Sequence, residues 1–389
     1  MQIAIKYIVN FILQRITITL IGFILLFTFF NFIAELDQIG KNANFLNSTF
    51  KIMVLKIPNV TYEIIPIATL IGGLWAYSEL SATSEFTAFR VGGFTPQKAL
   101  LTIFLGGLPL MLLTVVLSEV FIPISDKFSR DINNLKSQIS SNSNFKSGFW
   151  LRDRYITDDK FSDSLSERFI NIKNIYPDKS LIGVKIYDFD TDFKLIKITT
   201  ALKGDYVSLK KNSAVYKVKE NIQIKTNSWN LISPVVLKIN KNGNTSLERY
   251  ENLTLKTKLS AKTIEALTIK PEKMSVAELY SFIEYLNIGR QETNRYEIAY
   301  WKKVFYPFLL WIMLLIALPA AYLHLRKGSI GLKIFLGVIV GITYHLGNSL
   351  FSHLGLLNTW PPVTVAIFPS LLALIFGVII FHWVQKNNI

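Results

Sequence analysis

Cysteine is absent from all 389 residues, which removes a disulfide framework, a thiolate nucleophile and any cysteine-based metal site. Histidine is scarce: His324, His345, His353 and His382 are the whole set. None belongs to an H-E-x-x-H arrangement, so metallohydrolase chemistry is not expected. No Gly-x-x-x-x-Gly-Lys-Ser/Thr loop is present, so the chain has no motif with which to bind and split ATP itself. A Gly-x-Ser-x-Gly elbow and a paired-acid site in a defensible context are missing too.

Apolar residues are abundant instead. They make up 50% of the chain, and the mean hydropathy of +0.34 lies well above a soluble globular mixture. The excess sits in residues 1–125 and 300–389, while the middle is rich in Lys, Asn, Asp and Ser. That contrast divides the chain into three blocks. The net charge of +15 has two readings, a solvated Lys/Asn-rich surface or attraction to anionic lipid or sugar phosphate. Lysines interleaved with Asp and Asn, as at Lys203 and at Lys210 and Lys211, suit the first; the second stays open.

About 20 apolar residues in a helix span the hydrocarbon core. Six segments qualify, near 12–34, 60–80, 99–122, 304–323, 332–352 and 363–384. The first is too long for a signal h-region and lacks a small-residue cleavage site after it, so it is expected to stay in the mature protein. Arg15, near its start, can reach the interface. Lys6 and Arg15, Arg90 and Lys98, Arg326, Lys327 and Lys333, and Lys386 all fall on one side of a six-helix arrangement. The positive-inside rule then makes both termini cytoplasmic and the middle block exoplasmic. Lys51, Lys56, Lys302 and Lys303 would stand at the outer side, either as interfacial anchors or facing an anionic cargo.

Between 125 and 270 the period changes to two. Leu181 to Asp190 and Ala214 to Lys225 alternate apolar and polar residues between turns rich in Asp, Asn and Gly. This predicts an all-β domain, with a jelly roll and an immunoglobulin-like sandwich equally open. After it, Ser275 and Glu278 form a capping-box pattern that opens an amphipathic helix with Leu279, Phe282, Ile283 and Leu286 on one face. The expected fold is a polytopic six-helix membrane protein with the β domain between helices three and four. Its divisions are 1–124, 125–270, a connecting segment 271–300, and 301–389.

The turn after the second helix holds one more helical stretch, about 81–90, ended by Gly92 and Gly93. Leu80, Phe86 and Phe89 offer apolar contacts, and Glu85 and Arg90 charged ones. A short helix on the cytoplasmic face is either a handle for a soluble partner or a plain interfacial loop. Glu63 and Glu119 lie near outer helix ends, where interfacial and proton-coupling roles both stand. Pro58, Pro66, Pro307 and Pro319 can kink helices, for gating or for packing.

Several pieces, weak singly, occur together in order: Ile65-Pro-Ile-Ala-Thr-Leu-Ile-Gly-Gly, Ser84-Glu-Phe through Gly92-Gly-Phe-Thr95, Gly148-Phe-Trp, and Gly183-Val-Lys-Ile-Tyr. Arg295-Tyr296, Trp301-x-Lys303-x-Phe-x-Pro307, Leu325-Arg326 and Pro361-Pro362 continue the series. By these the whole chain resembles the lipopolysaccharide-export permeases of Gram-negative bacteria, the LptF/LptG family, and within it the LptG branch.

The resemblance implies an inner-membrane subunit of an ATP-driven lipid extractor, non-catalytic itself, whose exoplasmic domain is a periplasmic jellyroll. Its implied partners are the homologous permease LptF, the cytoplasmic ATPase dimer LptB, the single-helix jellyroll subunit LptC and lipopolysaccharide as cargo. ATP and Mg²⁺ would be used by the ATPase, with no cofactor in this chain. Glu85, Phe86, Phe89 and Arg90 would couple to that ATPase. Asn31, Asp37, Gln38 and Asn59 stand where well-studied members carry lysines, some of them touching lipid phosphate, so those contacts do not carry over. Lys41, Lys56 and Lys303 are the headgroup candidates. Residues 152–167 are longer and more charged than the family's usual hairpin, which suggests a solvated loop.

Two other classes fit less well. A mechanotransmission permease has four helices with its large domain after the first, whereas three helices precede the domain here. A secondary transporter should show central charges or broken-helix repeats.

Overall fold

The computed structural model describes residues 2–36, 45–137, 148–156, 165–176, 180–190, 192–207, 215–218, 222–225, 227–239, 243–257, 263–264, 267, 269–288, 291–322, 330–358 and 360–387. Two units emerge: residues 1–129, 271–280 and 294–389 form a helical unit, and residues 130–270 with 281–293 form a β-rich one.

The helices are α1 (Gln2–Leu36), α2 (Phe45–Ala82), α3 (Glu85–Val91), α4 (Pro96–Val116), α5 (Ile122–Ser137), α6 (Val276–Ile288), α7 (Asn294–Ala317), α8 (Pro319–Tyr322), α9 (Ile330–Leu357) and α10 (Pro362–Asn387). A π segment, Leu117–Phe121, joins α4 to α5. Among the described residues six spans are long and apolar enough to cross a bilayer: Gln2–Ala34, Phe50–Ala82, Pro96–Ile132, Asn294–Tyr322, Gly331–Leu357 and Pro362–Lys386. They overlap the six predicted segments, and each begins before its predicted start. Hydropathy registers only apolar residues, while the helix continues through polar turns such as Asn294 to Glu297. Thr95 is the extended N-cap of α4, with Pro96 in its first turn, where a missing N–H costs nothing.

The core of the helical unit runs from Ile8, Ile12 and Ile16 of α1 through Ile65, Ala68 and Tyr77 of α2 to Leu310, Met313 and Leu314 of α7. The α7 span is the most enclosed, 61% buried over its most apolar window, against 11% for the spans of α1 and α9. Gly72 sets the closeness of α1 to α2, since a Cβ there would lie 2.5 Å from the Cα of Ile16. Small residues permit such backbone approach between helices in lipid.

Pro66 shapes the bundle in another way. It has no N–H to offer the carbonyl four residues back, that of Tyr62. The hydroxyl of Tyr306 donates to that carbonyl instead, and the two tyrosine rings stack with centroids 4.2 Å apart.

The β-rich unit contains ten described strands: β1 (Phe149–Ile156), β2 (Leu165–Ile175), β3 (Leu181–Phe189), β4 (Leu195–Val207), β5 (Val215–Val218), β6 (Ile222–Lys225), β7 (Asn227–Ile232), β8 (Val235–Ile239), β9 (Thr245–Arg249) and β10 (Asn252–Thr257). Eight form an antiparallel sheet in the order β1-β2-β3-β4-β7-β10, with β8 on β4 and β9 on β8; β5 and β6 pair separately. One edge of the long strand β4 serves two partners, since Thr200 pairs with Val235 of β8 and Lys203 with Ile232 of β7. Leu151, Ile170, Ile172, Val184, Ile186, Trp229 and Leu231 make its core.

Within that core the Asp188 carboxylate accepts from Arg168 at 2.5 Å and pairs with Lys197 at 3.0 Å. Thr257 donates to Asp153 at 2.5 Å. These partners answer the cost of burying the charges. Of the suspected insertion, 152–156 lies in β1 and 165–167 in β2, where the Arg152 guanidinium pairs with Glu167. Residues 157–164 lie outside the described residues.

Candidate functional site

The turn between α2 and α4 is a self-contained device. Ser84 takes a left-handed conformation with φ of 62°, which breaks α2 from α3, so the predicted stretch 81–90 is divided. Ser81 and Ala82 end α2, and the short helix starts only at Glu85.

Its far end is a Schellman cap. The Phe94 N–H reaches the Phe89 carbonyl at 3.0 Å, and the Gly93 N–H reaches that of Arg90 at 2.9 Å. Gly93 has φ of +87°, which an L side chain resists. The aromatic contact of Phe94 with Phe89, ring centroids 6.5 Å apart, completes the motif.

Phe86 is 1% exposed: it is the peg that seats α3 on its own chain. Its ring meets those of Tyr322 at 5.0 Å and Phe94 at 5.9 Å, because the amphipathic turn buries its most apolar residue against the bundle. The Arg90 guanidinium lies over the Tyr322 ring at 5.3 Å. Phe89 packs near Tyr7 at 6.1 Å, and the Tyr7 hydroxyl donates to Glu85 at 2.9 Å. What α3 presents outward is Ala88 and above all Val91, 87% exposed, which sequence reasoning passed over. A valine between Arg90 and Gly92 carries no special signal; only the direction of the helix identifies it.

Close by, Arg15 of α1 and Glu79 of α2 form an ion pair of 2.6 Å. The guanidinium also sits 4.8 Å from the Trp75 ring and 4.9 Å from that of Phe11. Charges on otherwise apolar spans find one another because lipid offers no other partner.

A second region lies among α1, α2 and α5. A cavity of about 320 Å³ is lined by Asn31 of α1, Lys56, Asn59 and Glu63 of α2, Asp126 of α5, and Lys273. Lys273 pairs with Asp126 at 2.5 Å, and the Asn59 amide donates to Glu63 at 2.7 Å. Sequence reading picked out Lys56 and missed Lys273 and Asp126, whose sequence separation hides that they meet. Lys41, Asp37 and Gln38 lie outside the described residues.

Lys303 is not in that cavity. It is 7% exposed, and its ammonium donates to the carbonyls of Met274 and, at 3.5 Å, of Ser118. Two of its three ammonium donors are thus held by backbone carbonyls, the structural anchoring that stood beside the headgroup reading. It borders a smaller cavity of about 160 Å³ with Lys302, Tyr306, Tyr344 and Asn348. Lys302 there donates to Ser352.

Residues 6–383 match the family described as "Lipopolysaccharide export system permease LptF/LptG". The chain is 25% identical over 370 residues, 95% of each chain, to the lipopolysaccharide export system permease protein LptG of Haemophilus influenzae. It is 24% identical over 365 residues, 94% of each chain, to the protein of the same name from Escherichia coli K12. With six membrane-length helices, an antiparallel β region in the middle of the chain and a family match over nearly its whole length, the chain belongs to the LptF/LptG family of lipopolysaccharide export permeases.

Proposed function

We propose that this chain is the LptG-type permease subunit of an ATP-driven lipopolysaccharide extractor in a Gram-negative inner membrane. Its partners are an LptF-type permease, an LptB-type ATPase dimer that uses ATP and Mg²⁺, and a single-helix LptC-type subunit. Both termini and α3 face the cytoplasm, and the β region faces the periplasm. The lipid is taken from the outer leaflet of the inner membrane and passed toward a periplasmic bridge. Short-loop lysines and arginines support the orientation.

The observation that carries the reading is α3, a helix of about two turns fixed from beneath by Phe86 and Arg90 and held at its side by Tyr7 to Glu85, with Val91 projecting. A short helix so braced moves as one piece with the ends of α1 and α2 and with α8, which closes the Asn294–Tyr322 span. A push on Val91 and its neighbours by a nucleotide-driven partner therefore reaches three membrane helices at once. The apolar faces of α1 and α9, with Leu25, Phe29 and Phe30 on one and Phe335, Ile339 and Leu346 on the other, are available to acyl chains or to a second permease. Lys56 and Lys273 at the cavity supply cations for lipid phosphates.

Affinity purification of the tagged chain in mild detergent, followed by native mass spectrometry, tests this. The expected particle holds this chain, one homologous permease and two ATPase copies. A stable homodimer or monomer without ATPase, under conditions that keep a known ABC exporter intact, rejects the reading.

A further inference from the structure

The capping turn that opens α6 is gripped by two opposite charges. Ser275 and Glu278 satisfy each other: the Ser275 N–H donates to the Glu278 carboxylate at 2.8 Å, and the Glu278 N–H to the Ser275 hydroxyl at 3.2 Å. That box leaves the Val276 N–H unserved. Both carboxylate oxygens of Glu119 take it, at 3.1 Å each. One residue before the box, the Met274 carbonyl accepts from Lys303, whose ammonium also reaches the Ser118 carbonyl.

An anion therefore holds the amide side of the turn and a cation its carbonyl side. They come from different spans. Lys303 stands on α7, and Glu119 stands in the π segment after α4, where the Ile122 N–H bonds to the Leu117 carbonyl. A π segment inserts an extra residue into a helix and is frequent at functional positions. Glu119 also meets the positive end of α6, where a carboxylate is favoured.

We propose that Lys303 and Glu119 form a transmission clasp, binding the turn at 274–276, through which the chain returns from the β region, to two membrane helices so that their movement is delivered to it. The clasp rests on the reading of the chain as an extractor subunit. Removing either group is costly, because the turn's backbone then loses its partner, and at Lys303, which is buried, an ammonium without acceptors is strongly unfavourable. That cost makes the clasp stiff enough to convey displacement.

The test uses the full complex reconstituted in lipid, with K303M, K303R and E119Q. Three quantities are read: ATP hydrolysis, lipopolysaccharide bound, and lipopolysaccharide delivered to a soluble acceptor. Hydrogen exchange at 274–280 is followed alongside. In K303M, hydrolysis and lipid binding stay within about twofold, while delivery per ATP falls about tenfold or more, roughly 1.4 kcal/mol of lost coupling. K303R, which keeps the cation and its donors, restores most of that delivery, and K303M and E119Q both raise exchange at 274–280.

Delivery per ATP unchanged in K303M overturns the clasp. So does loss of lipid binding, which would return Lys303 to a headgroup contact, and so does a parallel loss of hydrolysis or unchanged exchange. A wild-type complex that delivers no lipopolysaccharide rejects the extractor reading instead, and exchange then decides the local grip by itself.

Discussion

The Tyr306 hydroxyl donates to the Tyr62 carbonyl, the one acceptor in α2 that Pro66 deprives of its helical donor. A tyrosine on α7 thus repairs a gap in α2, and the two most central spans are joined by the chemistry of a proline. This gives Pro66 a packing role between α2 and α7.

Y306F removes the donor and leaves that carbonyl orphaned in lipid. The unfolding midpoint of the purified protein should fall, by about 1 kcal/mol in free energy. P66A restores the N–H to α2, so in that background Y306F should cost measurably less, and equal costs in both backgrounds would break the assignment.

Gly72 is the contact point of α1 and α2, and adding a Cβ there collides with the Ile16 backbone rather than with a flexible side chain. G72A should lower the yield of folded protein and its thermal midpoint. G22A is the control: a Cβ at Gly22 meets nothing within 4 Å, and it should stay within about 0.5 kcal/mol of wild type.

On the proposed function, Val91 and Phe86 separate two ways of losing an ATPase partner. V91D should weaken co-purification of the ATPase without changing stability. F86A should do the same while destabilising the chain by about 3 kcal/mol, since it empties the space beneath α3. Normal co-purification in V91D would move the partner's contact elsewhere on the turn.

Arg15 and Glu79 predict a non-additive pair. R15M strands the carboxylate and should destabilise more than the double variant R15M/E79Q. A coupling energy of about 1 kcal/mol, measured by a double-mutant cycle on unfolding midpoints, is the expected result. Additive single effects would mean that solvent, not the partner, serves each charge.

Much was legible along the chain because its causes are local. Runs of about 20 apolar residues read as spans. The alternation at Leu181 to Asp190 read as β3, where Leu181, Val184, Ile186 and Asp188 are buried. The capping box of Ser275 and Glu278 formed as written, and Gly93 ended α3 as a left-handed glycine should.

What was not legible has a shared physical origin. Phe86 read as a residue of the short helix and Lys303 as one at an outer helix end, without the neighbours that bury them. Their directions depend on Tyr322, far along the chain from Phe86, and on Met274 and Ser118 for Lys303. No local window contains those partners.

By itself the sequence determined the membrane class, the six spans, the placing of a β region between the third and fourth, and the family, because hydropathy, period and motif order are properties of neighbours. Only the tertiary structure decided that Glu119 and Lys303 hold one turn, that Tyr306 answers Pro66, and that Lys273 shares a cavity with Lys56. Hydrogen bonds and ion pairs act over a few ångströms in space, and in each of these cases the partners are brought within that range only by the packing of separate segments.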